Sequence, residues 1–245
     1  MRNLKTIFST LMLLAVFSCA KVQKDGESAG QVTFSLNSDV EIADQTKSSV
    51  STYTTMPSAE DFKISITSAA NAFTWSGMIS EWDSATLVPA GTYTVTATYG
   101  SLEEEGFDKP FFTGTAEFTV VAEETTDVAV NVALGNTVVL VRCTDNFSNY
   151  YTDYTFKVVR DTDQIATFAK GETRGAFVDG YKITLEGTVT GPSKTLKFKK
   201  DYTALREATA YTFNFDASNV GGTAITISFN DTVETVELGD LELND

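Results

Sequence analysis

Apolar and polar residues alternate with a period of two along most of the chain, the pattern that sends successive side chains to opposite faces of a sheet. Val32, Phe34 and Leu36 alternate with Thr33 and Ser35, and Phe62, Ile64 and Ile66 with Lys63 and Ser65. Tyr93, Val95, Ala97 and Tyr99 alternate with Thr94, Thr96 and Thr98, and further series run through Ala116, Phe118 and Val120 and through Val128, Val130, Val132 and Leu134. From residue 138 the pattern resumes at Val139 and Val141, Phe156 and Val158, Tyr181, Ile183 and Leu185, Leu196 and Phe198, Tyr211, Phe213 and Phe215, and Ile225, Ile227 and Phe229. Val233, Val236, Leu238, Leu241 and Leu243 close the chain. Threonine, favoured on pleated half-exposed surfaces, fills many of the polar positions. No stretch carries a capped helical stripe. The pattern predicts an all-β protein.

Strand signals recur at roughly ten-residue intervals with turn residues between them, the rhythm of a sandwich. Two domains of ordinary sandwich size fit, residues 31–135 and 136–245, divided at Gly135-Asn136. One long sandwich with a shared core also fits. An internal echo favours duplication. Pro89-Ala90-Gly91-Thr92-Tyr93-Thr94-Val95 is a sound turn feeding a strand, and Glu207-Ala208-Thr209-Ala210-Tyr211-Thr212-Phe213 matches it in part.

The N-terminus is different. Arg2 and Lys5 precede an apolar run, residues 6–17, that is too short to span a bilayer and ends in small residues, so residues 1–18 read as a signal peptide. Val16-Phe17-Ser18-Cys19 resembles a bacterial lipobox. The resemblance implies that Cys19 is acylated and anchors the mature chain in the outer-membrane lipid. An ordinary secretory signal that happens to contain a cysteine is the other reading. Residues 19–30 then form a polar, aperiodic tether. Within it, Gln23-Lys24-Asp25-Gly26-Glu27 resembles the acidic export signal of Bacteroidetes surface lipoproteins, although a plain solvated linker has a similar composition.

Charge and composition narrow the chemistry. The 245 residues carry 18 Lys and Arg against 33 Asp and Glu, a net charge of -15, and no histidine. Without Arg2 and Lys5 the mature chain keeps 16 basic residues and a net charge of -17. Such a surface repels phosphate backbones, so nucleic acid is not expected as a partner. The absence of histidine removes Ser-His-Asp and Cys-His nucleophiles and histidine-ligated zinc. Two cysteines are too few for a disulfide framework, and Cys143, at the end of an apolar strand, reads as a small core residue.

The acidic clusters at Glu103-Glu104-Glu105, Glu123-Glu124 and residues 240–245 fall between strands and read as solvated charge rather than as a glycosidase pair. No cation-loop spacing is present, and neither metal nor cofactor is expected. Trp75 and Trp82 read as core or core-edge residues. Aromatic residues in loops are the stronger candidates for recognition: Phe107, Phe111 and Phe112 around Pro110, and Tyr150 and Tyr151 beside Asn149. Such rings can stack on sugars or anchor in a protein groove, or they can plug the open ends of sandwiches. Asp83-Ser84-Ala85 and Asp231-Thr232-Val233 resemble the short O-glycosylation motif of Bacteroidetes exported proteins, which implies modification at Ser84 and Thr232.

The lipobox, residues 89–100, the loop from Gly106 to Gly114 and the closing pair Ala224–Phe229 and Asp231–Val233 together resemble a Bacteroidales lipoprotein family of unknown function. The resemblance covers nearly all of the mature chain. It implies two Ig-like or fimbrillin-like (transthyretin-like) β-sandwich domains, an outer-membrane address with cell-surface exposure or a periplasmic face, and no catalytic residues. The expected function is a non-enzymatic binding or adhesion module, with a glycan or surface protein as partner. The alternative is a fimbrial tip, anchor or accessory subunit that assembles by strand exchange. Between Asp39 and Met56 there is a Lys47 but no arginine, which argues against a fimbrillin-type subunit matured by cleavage after arginine.

Overall fold

A computed structural model describes residues 28–38, 50–70, 73–217, 224–229, 232–237 and 239–240. The chain is all-β. Its strands are β1 (Ala29–Ser38), β2 (Lys63–Thr67), β3 (Trp75–Met78), β4 (Val88–Pro89), β5 (Gly91–Tyr99), β6 (Gly106–Phe107), β7 (Phe112–Val120), β8 (Thr125–Leu134) and β9 (Thr137–Cys143). After the short helix α1 (Asp145–Tyr150) come β10 (Asp153–Arg160), β11 (Asp163–Ala169), β12 (Ala176–Val178), β13 (Ile183–Thr190), β14 (Thr195–Tyr202), β15 (Ala210–Asp216), β16 (Ala224–Phe229), β17 (Thr232–Glu237) and β18 (Gly239–Asp240). Among the described residues no helix is long and apolar enough to cross a membrane.

The described residues form three sheets. The first has seven strands in the order β3-β2-β5-β7-β8-β1-β4. Between β7 and β8 only Phe112↔Leu134 and Thr113↔Ala133 pair, and beyond this hinge the sheet folds over on itself. Ile64, Tyr93, Val95 and Phe118 from one side then share a core with Val32, Val128, Val130 and Val132 from the other. The other two sheets, β11-β10-β13-β14-β18 and β17-β16-β15-β9-β12-β6, enclose a second core built on Phe147, Phe156, Phe198, Phe213 and Phe215.

The two halves repeat one wiring. Antiparallel order β3-β2-β5-β7 corresponds to β11-β10-β13-β14, and β8-β1-β4 corresponds to β15-β9-β12. In each, the first strand pairs in parallel with a late one: β1 with β8 from Gln31↔Thr125 to Ser38↔Val132, and β9 with β15 from Val138↔Ala210 to Cys143↔Phe215. The sequence echo, however, aligns the wrong strands. Residues 89–95 enter β5, whose counterpart is β13, whereas 207–213 enter β15, the counterpart of β8. A turn followed by an inward aromatic residue is what any such strand needs, so the similarity marks local chemistry and not equivalent position. Tyr181 is a second departure: it precedes β13 and is exposed at 67%, not an inward strand residue.

The halves are also interlocked. Thr137 to Val141 of β9 are all buried. Val139 and Val141 face the second core, while Val138 and Leu140 belong to the first. Phe177 of β12 and Ala210 of β15 join the first core in the same way. A strand covered on both faces has no polar side to show. In return, β6 leaves the first half to pair with β12 at the edge of the second half's sheet, through Phe107↔Ala176 and Gly106↔Phe177.

Asn136, 2% exposed, pins the crossing. Its Nδ2 donates to the Lys109 carbonyl at 3.1 Å, its Oδ1 accepts from the Phe111 amide at 3.3 Å, and its own carbonyl accepts from the Ala208 amide at 3.1 Å. Replacing Asn136 with alanine leaves the part-buried Lys109 carbonyl and Phe111 amide without their partner. The expected cost is about 2 kcal/mol, read as a lower urea midpoint at unchanged slope.

Candidate functional site

The outer face of the five-stranded sheet carries an ordered polar surface. On β10, β13 and β14 the inward positions hold the row Phe156, Gly187 and Phe198, with Phe156 opposite Gly187 and Gly187 opposite Phe198. Gly187 is required there, because a Cβ would lie 2.0 Å from Cε1 of the Phe198 ring. The residues on either side of this row point outward. They form two further rows across the same strands, Thr155, Thr188 and Lys197, and Lys157, Glu186 and Lys199. These six residues, with Gly187 and Phe198 between them, line a shallow dish of about 450 Å³.

Strand spacing sets the charges of the dish at roughly 10 Å between Lys157 and Lys199 and roughly 7 Å between Lys199 and Lys197, measured along the backbone. Lys199 Nζ donates to Glu186 Oε1 at 2.9 Å, and this bond raises the lysine pKa, so Lys199 is a fixed cation and not a base. Among the described residues, Lys157 and Lys197 have no ion-pair partner. The adjoining row neutralises itself. Asp201 accepts from Thr184 Oγ1 at 2.7 Å and sits 3.2 Å from Lys182 Nζ, which together hold its carboxyl below the usual range. The dish therefore carries three ammonium groups and one carboxylate, ringed by threonine hydroxyls.

This local charge runs against that of the molecule. Residues 28–141 hold three basic residues and 15 acidic ones, whereas residues 142–206 hold 11 basic and 8 acidic. With a screening length of about 8 Å at physiological salt, a ligand at the dish feels its lysines far more than the distant acidic half.

The residues expected from sequence fall elsewhere. Phe112 (0% exposed) and Tyr151 (1%) are core residues and have no surface to offer a ligand, a correction to their candidacy. Phe112 begins β7, and its ring lies 6.5 Å from Phe62 and 6.3 Å from Tyr99. Tyr151 follows α1, which Thr144 starts by accepting from the Phe147 amide at 3.2 Å. The helix is short enough that Phe147, wholly buried, supplies most of its anchorage. Phe107, Phe111 and Tyr150 are half-buried. Phe107 packs on Phe168 at 5.0 Å beneath the Arg174 guanidinium, 4.6 Å away. Phe111 lies against Gly135, and Tyr150 packs on Tyr151 at 4.9 Å. Trp75 and Trp82 are half-buried and meet edge-to-face at 5.1 Å, with Trp82 Nε1 donating to the Val32 carbonyl at 2.9 Å.

Ser84 is exposed in a turn closed by Asp83, whose Oδ1 accepts from the Ala85 amide at 2.9 Å. Thr232 opens β17 opposite Phe229, and its side chain lies outside the described residues, as do Cys19 and residues 241–245. The acidic run at 103–105 is only partly solvated. Glu104 is exposed and pairs with Lys109 at 2.6 Å, but Glu105 turns inward, with its side chain 6% exposed. It grips Arg160 from both oxygens and accepts from the Asp179 amide at 2.7 Å.

Cys143 is half-buried at the end of β9, and burial pushes its thiol up to about 11. At pH 8 its thiolate is then about 100-fold scarcer than that of an ordinary thiol. In a Cys19→Ser chain, iodoacetamide is expected to label Cys143 at least tenfold faster after urea unfolding than before. Because the folded thiol holds its proton more tightly, this group also makes stability fall as pH climbs from 9 towards 11.

None of the dish residues was singled out from sequence. The signal present was the stretch Lys197-Phe198-Lys199, which reads as the solvated side of one strand. Only the pairing of β10 with β13 and of β13 with β14 brings Lys157 and Glu186 beside it.

Several solved structures are similar to this chain at low identity. The fimbrial anchor protein Mfa2 from Porphyromonas gingivalis is 13% identical, with 84% of this chain and 98% of that one covered and a TM-score of 0.44. A fimbrial assembly protein from Parabacteroides distasonis is 8% identical over 72% of this chain and 91% of its own, with a TM-score of 0.43. A protein from Bacteroides thetaiotaomicron proposed to bind polysaccharide is 11% identical over 86% and 99%, with a TM-score of 0.45. No curated protein matches the chain. The family model described as Domain of unknown function (DUF4493) matches residues 28–240, and the chain belongs to that family.

Proposed function

We propose that this protein is a non-enzymatic binding module held on the outside of the cell by acylated Cys19, with the outer face of the five-stranded sheet as its contact surface. The observation that carries the reading is the dish itself. It is built on paired strands, so its side chains are held by a sheet and not by mobile loops. Lys199 is bonded to Glu186, which raises its pKa, and so suits holding a ligand by charge; an amine that attacks or abstracts protons needs a lowered pKa. Residues 136–245 and 31–135 then act as a binding half and a supporting half, joined through the shared strands β9 and β12. The fimbrial-accessory alternative would use the sheet edges at β3 and β11, where a partner's strand could add.

Protease shaving of intact cells, with a periplasmic control, tests the address. Loss of the protein with the control intact is expected, together with release of a Cys19→Ala chain from the membrane fraction. Digestion only after permeabilisation would overturn the surface reading.

A further inference from the structure

Resting on the binding-module reading, we infer that the dish takes a saccharide chain bearing carboxylate or sulfate groups. Three features select this ligand. The first is charge: Lys157, Lys197 and Lys199 surround the floor, Glu186 is the one acid among the residues that line it, and Asp153 stands a row away beside Thr190, so the lining is net positive in a chain of net charge -15. The acidic remainder repels a polyanion from the rest of the surface and leaves this face as the place it settles. The second is hydroxyl chemistry. Thr155 and Thr188 line the dish, and Thr184, Thr190 and Thr195 continue the same strands' polar faces. A hydroxyl both donates and accepts, matching the hydroxyls of sugar rings between the anionic groups.

The third is shape. The dish is open and crosses three strands, and no outward residue lining it is aromatic; the ring of Phe198 is buried. Neutral-sugar stacking and base stacking both lack a platform here, and single-stranded nucleic acid depends on such stacking. A duplex makes several phosphate contacts at once, more than three lysines sharing the face with a carboxylate supply. An extended anionic polysaccharide needs only periodic charge and hydroxyl contacts.

The purified full-length chain is assayed by biolayer interferometry on polygalacturonate, dextran sulfate, neutral dextran and poly(U) at 50 and 200 mM NaCl. Binding to polygalacturonate or dextran sulfate is expected, weaker at the higher salt and stronger than to dextran or poly(U). The pair Lys157→Gln and Lys197→Gln together is expected to weaken it about tenfold. Glu186→Gln is expected to strengthen it several-fold, because it removes the opposing charge and releases Lys199. That opposite sign separates a charge effect from a folding defect, and unchanged melting of the variants checks it independently. Binding to dextran equal to that of the anionic chains and indifferent to these substitutions would overturn the inference while leaving the binding module in place. Preference for poly(U) would make the ligand a phosphodiester and overturn it. No binding to any polysaccharide would overturn the inference and leave a surface protein as the partner of the module.

Discussion

Phe156→Ala is expected to cost about 4 kcal/mol, within the range for an aromatic side chain deleted from a packed core. Phe156 is wholly buried, and its ring stacks on Phe215 at 4.0 Å with 17° between planes. It also meets Tyr154 at 5.7 Å, Phe147 at 6.1 Å and Phe198 at 6.3 Å. These neighbours come from β10, α1, β14 and β15, so no single element can collapse into the space left behind. For a chain of this size each kcal/mol lowers the melting temperature by about 2–4 °C, giving a fall of about 8–16 °C by calorimetry. Because Phe156 lies in the inward row directly beneath the dish, anion binding is expected to weaken with it near the transition. A loss below about 1.5 kcal/mol would mean that this core repacks freely, against the ring geometry described.

The second large effect is at the join of the halves. Glu105→Ala is expected to destabilise by about 3 kcal/mol. Glu105 Oε2 accepts from Arg160 Nη2 at 2.5 Å and from Nε at 2.9 Å, and Oε1 accepts from Nε at 3.1 Å and from the Asp179 amide. The deletion leaves a backbone N–H without its acceptor and a guanidinium facing a buried space. Arg160 is one-third exposed and lies 3.9 Å from Asp161, so part of its charge finds water and a weak substitute partner, which keeps the cost below that of a fully buried pair. A double-mutant cycle with Arg160→Ala isolates the pair, with an expected coupling of about 2 kcal/mol. Proteolysis should be redirected as well. The segment from Gly100 to Phe107 is held to the second half by this pair and by the short β6 pairing, and it is expected to become the first cleavage site in Glu105→Ala. Coupling near zero would show that Glu105 is solvated, as its neighbours Glu103 and Glu104 are.

Much of the fold was legible in the residues. The alternation through Tyr93 to Tyr99 is β5, that through Val128 to Leu134 is β8, and Tyr211 to Phe215 is β15, with the inward residues as read. The absence of a helical stripe was also informative, since the single described α-helix has six residues and is set by a threonine cap and one buried ring. The failures share a cause. Val139 and Val141 lie in a strand as the pattern predicts, but the residues between them are apolar as well because β9 is covered on both faces, and that second core is not visible in a period of two. Phe112 and Tyr151 fall beside the loop signals Pro110 and Asn149, yet Phe112 opens β7 and Tyr151 caps α1, and each of these elements turns its ring inward. Glu105 cannot be told from Glu104 by composition; what separates them is Arg160, 55 residues away.

The sequence by itself determined which face of each strand is apolar, and so the all-β class, the inward rows of both cores and the acidity of the whole, because a period of two is a property of one strand. It could not determine which strands lie side by side, because pairing adds no periodicity of its own. Strand order is decided when the long-range parallel pairs, β1 with β8 and β9 with β15, close. The antiparallel pairing of β10 with β13 and of β13 with β14 puts Lys157, Glu186 and Lys199 in one row, and the packing of the two halves gives β9 a core on each side.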